Sequence, residues 1–351
     1  MTPRTVCGTA VVAIGGNALL SGGGPATVSE QVEAARRLAT PVVALADAGW
    51  RVVVTHGNGP QVGFIKRRAD LAAELDPELP ALDLDMCVAD SQGGLGHILA
   101  TAIAGRLHSL GRDPERVAAL ITHTVVDADD AAFAHPTKPI GAFYPEARAR
   151  ELAGTQGWTV AEDSGRGWRR VVPSPRPLRV LETAAVRALS AAGLVVIAAG
   201  GGGIPVVADG PDGRRGVEAV VDKDLTSALL AAELDADLLV ITTGVERVAV
   251  DYGRPTQRFL DRLDPAEAER LLAEGQFPAG SMGPKIRAAL DFLAGGPDRQ
   301  VLITSPQALG AALDGQGGTW LGHAPAPTPV RPTAEPTAEP LNGTVTAGRP
   351  Q

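Results

Sequence analysis

Short apolar runs rich in β-branched residues alternate along this chain with longer segments in which alanine and leucine recur at helical spacing. Glycine, asparagine or threonine closes most of the apolar runs. The alternation predicts parallel strands joined by crossover helices, an α/β fold. Buried strands are expected over 9–14, 51–55, 118–122, 194–198, 238–242 and 300–304. Helices are expected over 29–48, 62–75, 88–110, 182–192, 225–234, 265–274 and 284–293, the first with a capping-type start at Ser29 and a stop at Gly49. In open α/β sheets ligands bind beyond the carboxyl ends of the strands, so the loops that follow these strands are where chemistry is sought.

The alternation breaks twice. Residues 127–177 are rich in Pro, Gly, Trp and charge and read as an insertion, a small β-rich lid. After residue 323 the chain turns to Pro, Thr and Ala, with Pro-Thr-Ala-Glu repeated at Pro332 and Pro336, and residues 324–351 are expected to be disordered and without chemistry. Residues 1–323 then form one domain carrying the insertion.

Composition narrows the partners. A chain of 351 residues with 44% hydrophobic and 21% charged residues can bury a large core. Its net charge of -8 argues against nucleic acid or an anionic membrane as partner, so an anionic substrate needs locally placed cations. Cys7 and Cys87 form no metal or redox spacing and fit a reducing compartment. The first apolar run is interrupted at Gly15 and Gly16, too soon for a signal peptide or a membrane span, which makes the cytoplasm the expected location.

Cations are supplied unevenly: 28 arginines stand against four lysines, Lys66, Lys138, Lys223 and Lys285. Arginine is a planar fork, whereas lysine is a compact charge on a flexible stem, able to follow a moving phosphoryl group. Three of the four lie in short segments of Gly, Pro and Asp: Thr137-Lys138-Pro139, Asp222-Lys223-Asp224 and Gly283-Pro284-Lys285. Lys66, beside Arg67 and Arg68 on a helix, reads as an ordinary solvated charge.

Several strand ends carry small residues suited to an anion. Gly15, Gly16 and Asn17 follow the first strand, and Gly57 and Asn58 follow the second, in a pattern that reads either as two turns or as two backbone nests forming one anion cradle. No GxxxxGK[ST] loop is present. His56 is either a general base or a structural histidine, and the second reading is favoured because transfer between two oxyanions needs no base. The run Gly200–Gly203, including Gly201 and Gly202, is either a wide turn or a close approach to substrate. In Asp222-Lys223-Asp224 one aspartate is a candidate helix cap, which leaves the lysine unexplained by capping. Thr243, Gly244 and Val245 after one strand, and Tyr252 after another apolar run, are candidates to line a nucleotide base; ordinary connections are the alternative. Ser281, Met282 and Lys285 open a helix with Pro284 near its first turn, where amides and a lysine can face phosphate together.

Together these segments resemble carbamate kinase, of the amino acid kinase family. The match runs from Thr9 to Leu321 and rests on Gly-Gly-Asn-Ala after the first strand, His56-Gly-Asn-Gly-Pro-Gln-Val-Gly, Pro136-Thr-Lys-Pro-Ile-Gly, Gly165-Arg-Gly-Trp-Arg-Arg-Val-Val-Pro-Ser-Pro, Gly216-Val-Glu-Ala-Val-Val-Asp-Lys-Asp and Gly280-Ser-Met. The resemblance implies a three-layer αβα sandwich around a mainly parallel open sheet, with the insertion as a protruding subdomain. It implies a homodimer and reversible transfer between ATP and carbamate to give ADP and carbamoyl phosphate with Mg2+, run toward ATP in fermentative arginine breakdown. Lys223 and Lys285 match lysines that hold the transferred phosphoryl group and nucleotide phosphates, Asp222 the carboxylate that organises them, and Lys138 the lysine of the mobile subdomain. Gly15, Gly16, Asn17, Gly57 and Asn58 match the phosphoryl and acceptor loops. No protein ligand for Mg2+ is expected, the ion being carried by nucleotide phosphates. The chain departs from the family pattern at Ser91 and His97, where Thr and Tyr are usual, and at Ala279, where Pro is usual. A same-fold kinase for another small carboxylate or phosphate acceptor, and a nucleotide-binding regulatory subunit, are the competing readings.

Overall fold

From its amino end the chain forms β1 (Gly8–Ile14), α1 (Val28–Asp47), β2 (Trp50–His56), α2 (Gly59–Leu75), α3 (Leu84–Ser109), β3 (Val117–Ala119) and β4 (His123–Val126). The segment read from sequence as an insertion follows with β5 (Lys138–Tyr144), α4 (Glu146–Gln156), β6 (Val160–Glu162) and β7 (Trp168–Val172). Next come β8 (Pro177–Val180), α5 (Thr183–Ala191), β9 (Val195–Ile197), β10 (Ile204–Asp209), β11 (Gly213–Gly216) and α6 (Lys223–Glu233). The last part holds β12 (Leu238–Thr242), β13 (Val248–Val250), β14 (Arg258–Leu260), β15 (Arg262–Leu263), α7 (Pro265–Ala273), α8 (Met282–Leu293), β16 (Gln300–Thr304), α9 (Leu309–Leu313) and β17 (Thr319–Leu321). This computed structural model describes residues 7–19, 27–163, 165–209, 213–278 and 280–323. The expectation of a disordered tail and the departure at Ala279 fall outside these described residues.

The main sheet has eight strands in the order β15-β17-β16-β12-β1-β2-β9-β3. From β16 to β3 every pairing is parallel, and β17 runs antiparallel to β16. Side chains alternate across a strand, so one apolar strand feeds two cores. Val11, Ala13, Val53, Leu239, Ile241 and Val301 enter one core, shared with Leu230 of α6 and Phe292 of α8. Ala10, Val12, Ile14, Val54, Val240 and Leu302 enter the other, shared with Leu38 of α1 and Leu99 of α3. Helices therefore cover both faces, and the three-layer αβα sandwich follows from continuous apolar strands. No helix among the described residues is long and apolar enough to cross a membrane.

Three expectations change. The strand foreseen over 118–122 ends at Ala119, because Gln92 Oε1 takes the Thr122 backbone N–H at 2.9 Å and the chain leaves for a second sheet, β11-β10-β4-β8. The cap of α1 is Thr27, not Ser29: Thr27 Oγ1 accepts from Glu30 N at 3.3 Å, and Glu30 Oε2 accepts from Thr27 N at 2.6 Å. The inserted segment contains helix α4 beside the three-stranded antiparallel sheet β5-β7-β6.

Candidate functional site

The ends of β1 and β2 meet through backbone alone. Gly57 N donates to Ile14 O at 2.8 Å, and Gly15 N donates to Thr242 Oγ1 at 3.1 Å at the end of β12. A Cβ on Gly57 would stand 2.8 Å from Gly16 N, so this contact requires glycine. Asn58 caps α2 by position, and its Nδ2 donates to Ser91 Oγ of α3 at 2.8 Å. Ser91 thus keeps the hydroxyl of the usual threonine where it bears on the site, whereas His97 is exposed. Asn17 lies in a 3-10 turn after β1, and its side chain is outside the described residues.

Beside these strand ends α6 begins, and its first three residues organise the charges. Asp222 is the N-cap: Oδ1 accepts from Asp224 N at 2.8 Å and Leu225 N at 3.3 Å. Its Oδ2 accepts from Lys138 Nζ, which reaches across from β5. Lys223 Nζ lies 2.6 Å from Asp224 Oδ1 and donates to Ala13 O of β1 at 3.4 Å. Lys285, in the first turns of α8, donates to Asp224 Oδ2 at 3.0 Å and to Ser281 O at 3.4 Å. The three lysines singled out by sequence therefore converge, held by two carboxylates. The organising role expected of Asp222 is divided: Asp222 holds Lys138, and Asp224 clamps Lys223 and Lys285 together. Sequence reasoning does not single out Asp224, because an aspartate just inside a helix start fits the helix dipole on its own; the signal that could have found it is a second carboxylate flanking a scarce lysine.

Burial works against charge throughout this cluster, and the ion pairs decide the outcome. Burial would raise the carboxyls of Asp222 and Asp224, but the neighbouring lysines outweigh it and hold both below the usual carboxylate range. Burial pushes the Lys223 ammonium down, with Lys285 adding to the effect against the pull of Asp224. At Lys285 burial acts the same way, and Asp224 and Asp222 overcome it and raise the pKa.

His56, 1% exposed, is pushed down to about 4, first by burial and further by the charge on Lys223, against a contact with Gly57 O. It is a neutral packing group. The run Gly200–Gly203 is wrapped by protein: a Cβ on Gly200 would lie 2.4 Å from His56 Nε2, and one on Gly201 2.2 Å from Asn58 Nδ2. One on Gly202 would lie 2.5 Å from Val221 O. These glycines are required by neighbours that shape the site.

Thr243 follows β12 and donates its N–H to Thr304 O at 2.8 Å; Gly244 has open space where a Cβ would be, and Val245 is half-buried. Tyr252 is exposed after β13, and Met282, the first residue of α8, packs against the α6–α8 core. Lys66, read as solvated, is instead held by Asp70 at 2.9 Å and Leu82 O at 2.8 Å, since α2 lies against the loop before α3. Every carboxylate oxygen of Asp222 and Asp224 faces a lysine or a helix amide, and among the described residues no group of three or more His, Cys, Asp or Glu gathers as a metal site. Surface concavities of about 590 and 440 Å³ lie elsewhere, around Arg179 and Arg214 and around Asp85 and Phe133.

The chain is similar to known proteins over most of its length. A model of the amino acid kinase family matches residues 8–305. The chain is 47% identical to the carbamate kinase-like protein YahI of Escherichia coli K12 over 312 residues, 89% of this chain and 98% of that one. It is 46% identical to carbamate kinase 2 of Staphylococcus epidermidis over 311 residues, again 89% and 98%. Solved structures of carbamate kinase from Giardia lamblia bound to citric acid and to AMP-PNP superimpose with TM-scores of 0.83 and 0.78. Each is 38% identical and covers 90% of this chain and 98% of its own.

Proposed function

The chain belongs to the amino acid kinase family of phosphotransferases, and we propose that it is a carbamate kinase, exchanging a phosphoryl group between ATP and carbamate to give ADP and carbamoyl phosphate. The observation that carries this is the Asp224 clamp, which fixes two buried lysines side by side, with a third lysine brought to Asp222 from the inserted segment.

Phosphoryl transfer asks for positioning and for charge stabilisation over the oxygens of the moving group, with little covalent work by the protein. Lys223 and Lys285 supply two compact positive charges from the sheet side, and Lys138 supplies a third from the lid formed by 127–177. The Gly15–Gly16 and Gly57–Asn58 turns border the acceptor side, and Thr243, Gly244, Val245, Tyr252 and Met282 border the nucleotide. A neutral His56 suits a transfer between oxyanions that needs no base. Mg2+, when bound, would neutralise charge on the nucleotide phosphates, and with both site carboxylates paired to lysines it would be held through those phosphates. We extend the reading to a cytoplasmic homodimer working toward ATP in arginine breakdown, on the strength of the family resemblance.

Purified protein supplied with ADP, Mg2+ and carbamoyl phosphate should form ATP, read with luciferase, and Lys285→Ala should lose about a hundredfold or more of kcat. Turnover only with another acyl phosphate would replace carbamate by a different acceptor. Nucleotide binding without any turnover would make the protein a regulatory subunit.

A further inference from the structure

Lys138 reaches Asp222 from a segment that is otherwise separate from the main sheet, so something must fix where that segment sits. The fixed point is on α2. Gly63 of α2 lies against Gly141 of β5 with backbone touching backbone: a Cβ on Gly63 would stand 2.2 Å from both Gly141 N and Gly141 Cα, and 3.0 Å from Ile140 C. One turn earlier on the same face, a Cβ on Gly59 would meet Pro139 O at an ordinary 3.4 Å. Gly141 itself takes φ +73°, a conformation that glycine adopts freely. From the far side Arg169 of β7 donates to Gly141 O at 2.9 Å, and its guanidinium is paired with Asp163 at 3.1 Å. Next to the contact, Ile140 and Val62 pack in one apolar cluster with Val172 and Leu84. Strand β5 is thus pressed onto α2 at Gly63, and Lys138 stands three residues from Gly141 on that strand.

We propose that Gly63 is the positioning residue of the lid lysine: the seat of Gly141 on Gly63 sets where Lys138 meets Asp222 and hence how the third positive charge approaches the transferred group. This rests on the kinase reading of the site. A methyl group at Gly63 must drive β5 away by about 1 Å to restore ordinary contact, and a misplacement of about 1 Å costs on the order of a hundredfold in rate. The helix itself does not suffer, since alanine is a better helix former than glycine.

The test is Gly63→Ala, with Gly154→Ala as a control at a helical position where a Cβ meets nothing within 4 Å. Two quantities are read. One is kcat and KM for ADP with carbamoyl phosphate. The other is the rate at which Lys138 is acetylated by an amine-directed ester, followed by mass spectrometry, which four lysines in the whole chain make easy to resolve. Gly63→Ala should lose about a hundredfold in kcat with KM for ADP within about twofold, and acetylate Lys138 about tenfold faster, while Gly154→Ala behaves as the parent. Parental kcat and parental acetylation would overturn the proposal, and so would a fall in kcat without a change at Lys138. A parent that never makes ATP defeats the kinase reading, and the acetylation rates still decide the seat. If Gly63→Ala does not fold, Arg169→Met, which removes the donor to Gly141 O, is read by the same two measurements with the same expected directions.

Discussion

Asp224 sits at the centre of the charge cluster, 4% exposed and shared by two lysines. Replacing it with asparagine leaves two buried ammonium groups facing each other, and breaking a buried pair in this way costs about 3–5 kcal/mol. Asp224→Asn should therefore lower stability in urea by that amount and lose most of kcat; a variant of parental stability would show that the lysines find other partners. The depressed carboxyl of Asp224 gives stability that is present above the unfolded pKa of 3.8 and is lost as pH falls below it. His56 acts at a higher pH. Its folded pKa lies at about 4 against 6.5 when unfolded, so below 6.5 the unfolded chain takes a proton that the folded one refuses. Stability should fall by about 3 kcal/mol between pH 6.5 and 4, and be untouched by this group above 6.5. Urea midpoints measured across that window should slope less in His56→Gln, and an unchanged slope would place the titration elsewhere. At this scale the lysines were legible because they are scarce, and His56 because oxyanion transfer needs no base. The division of labour between Asp222 and Asp224 was hidden, because both sit where any helix start welcomes a carboxylate.

Among the elements, α1 shows how a local motif contributes without touching chemistry. The reciprocal Thr27–Glu30 capping box satisfies two backbone donors at the helix start, and the helix buries Leu38, Val42 and Leu45 in the core beneath the sheet. Thr27→Ala should cost about 1 kcal/mol and leave kcat and both KM values unchanged; a loss of turnover would tie α1 to the site. The parallel strands β1, β2, β12 and β16 were legible within a residue or two because they are buried on both faces and read as unbroken apolar runs. Seven of the nine helices among the described residues were legible from their period; α4, inside the segment read as β-rich, and the five-residue α9 were not. What escaped was the second sheet and the short strands β13 to β15 and β17, which run only two to six residues and lie among glycines, arginines and prolines that read as loop. Their pairing is set by tertiary contacts such as Gly203 against Thr124, where a Cβ would stand 2.0 Å from Oγ1, and no local pattern announces it.

Taken whole, the molecule sets its net charge against its site. The chain carries -8, whereas three lysines and two aspartates leave a surplus of one positive charge where anionic substrates must arrive. Distant acidic residues repel an approaching nucleotide over a range set by salt, and buried pairs are screened far less. Raising the salt from about 10 mM to about 150 mM shortens that range from about 30 Å to about 8 Å, which weakens the repulsion and leaves the clamp intact. The value of kcat/KM for ADP should therefore rise by up to a few fold over this interval in potassium chloride. A steep fall would mean that arginines around the entrance create a positive field that outweighs the net charge and steers the substrate. The two outcomes separate a site that works by short-range cations placed on a repelling surface from one that gathers its substrate from a distance, and the net charge of -8 favours the first.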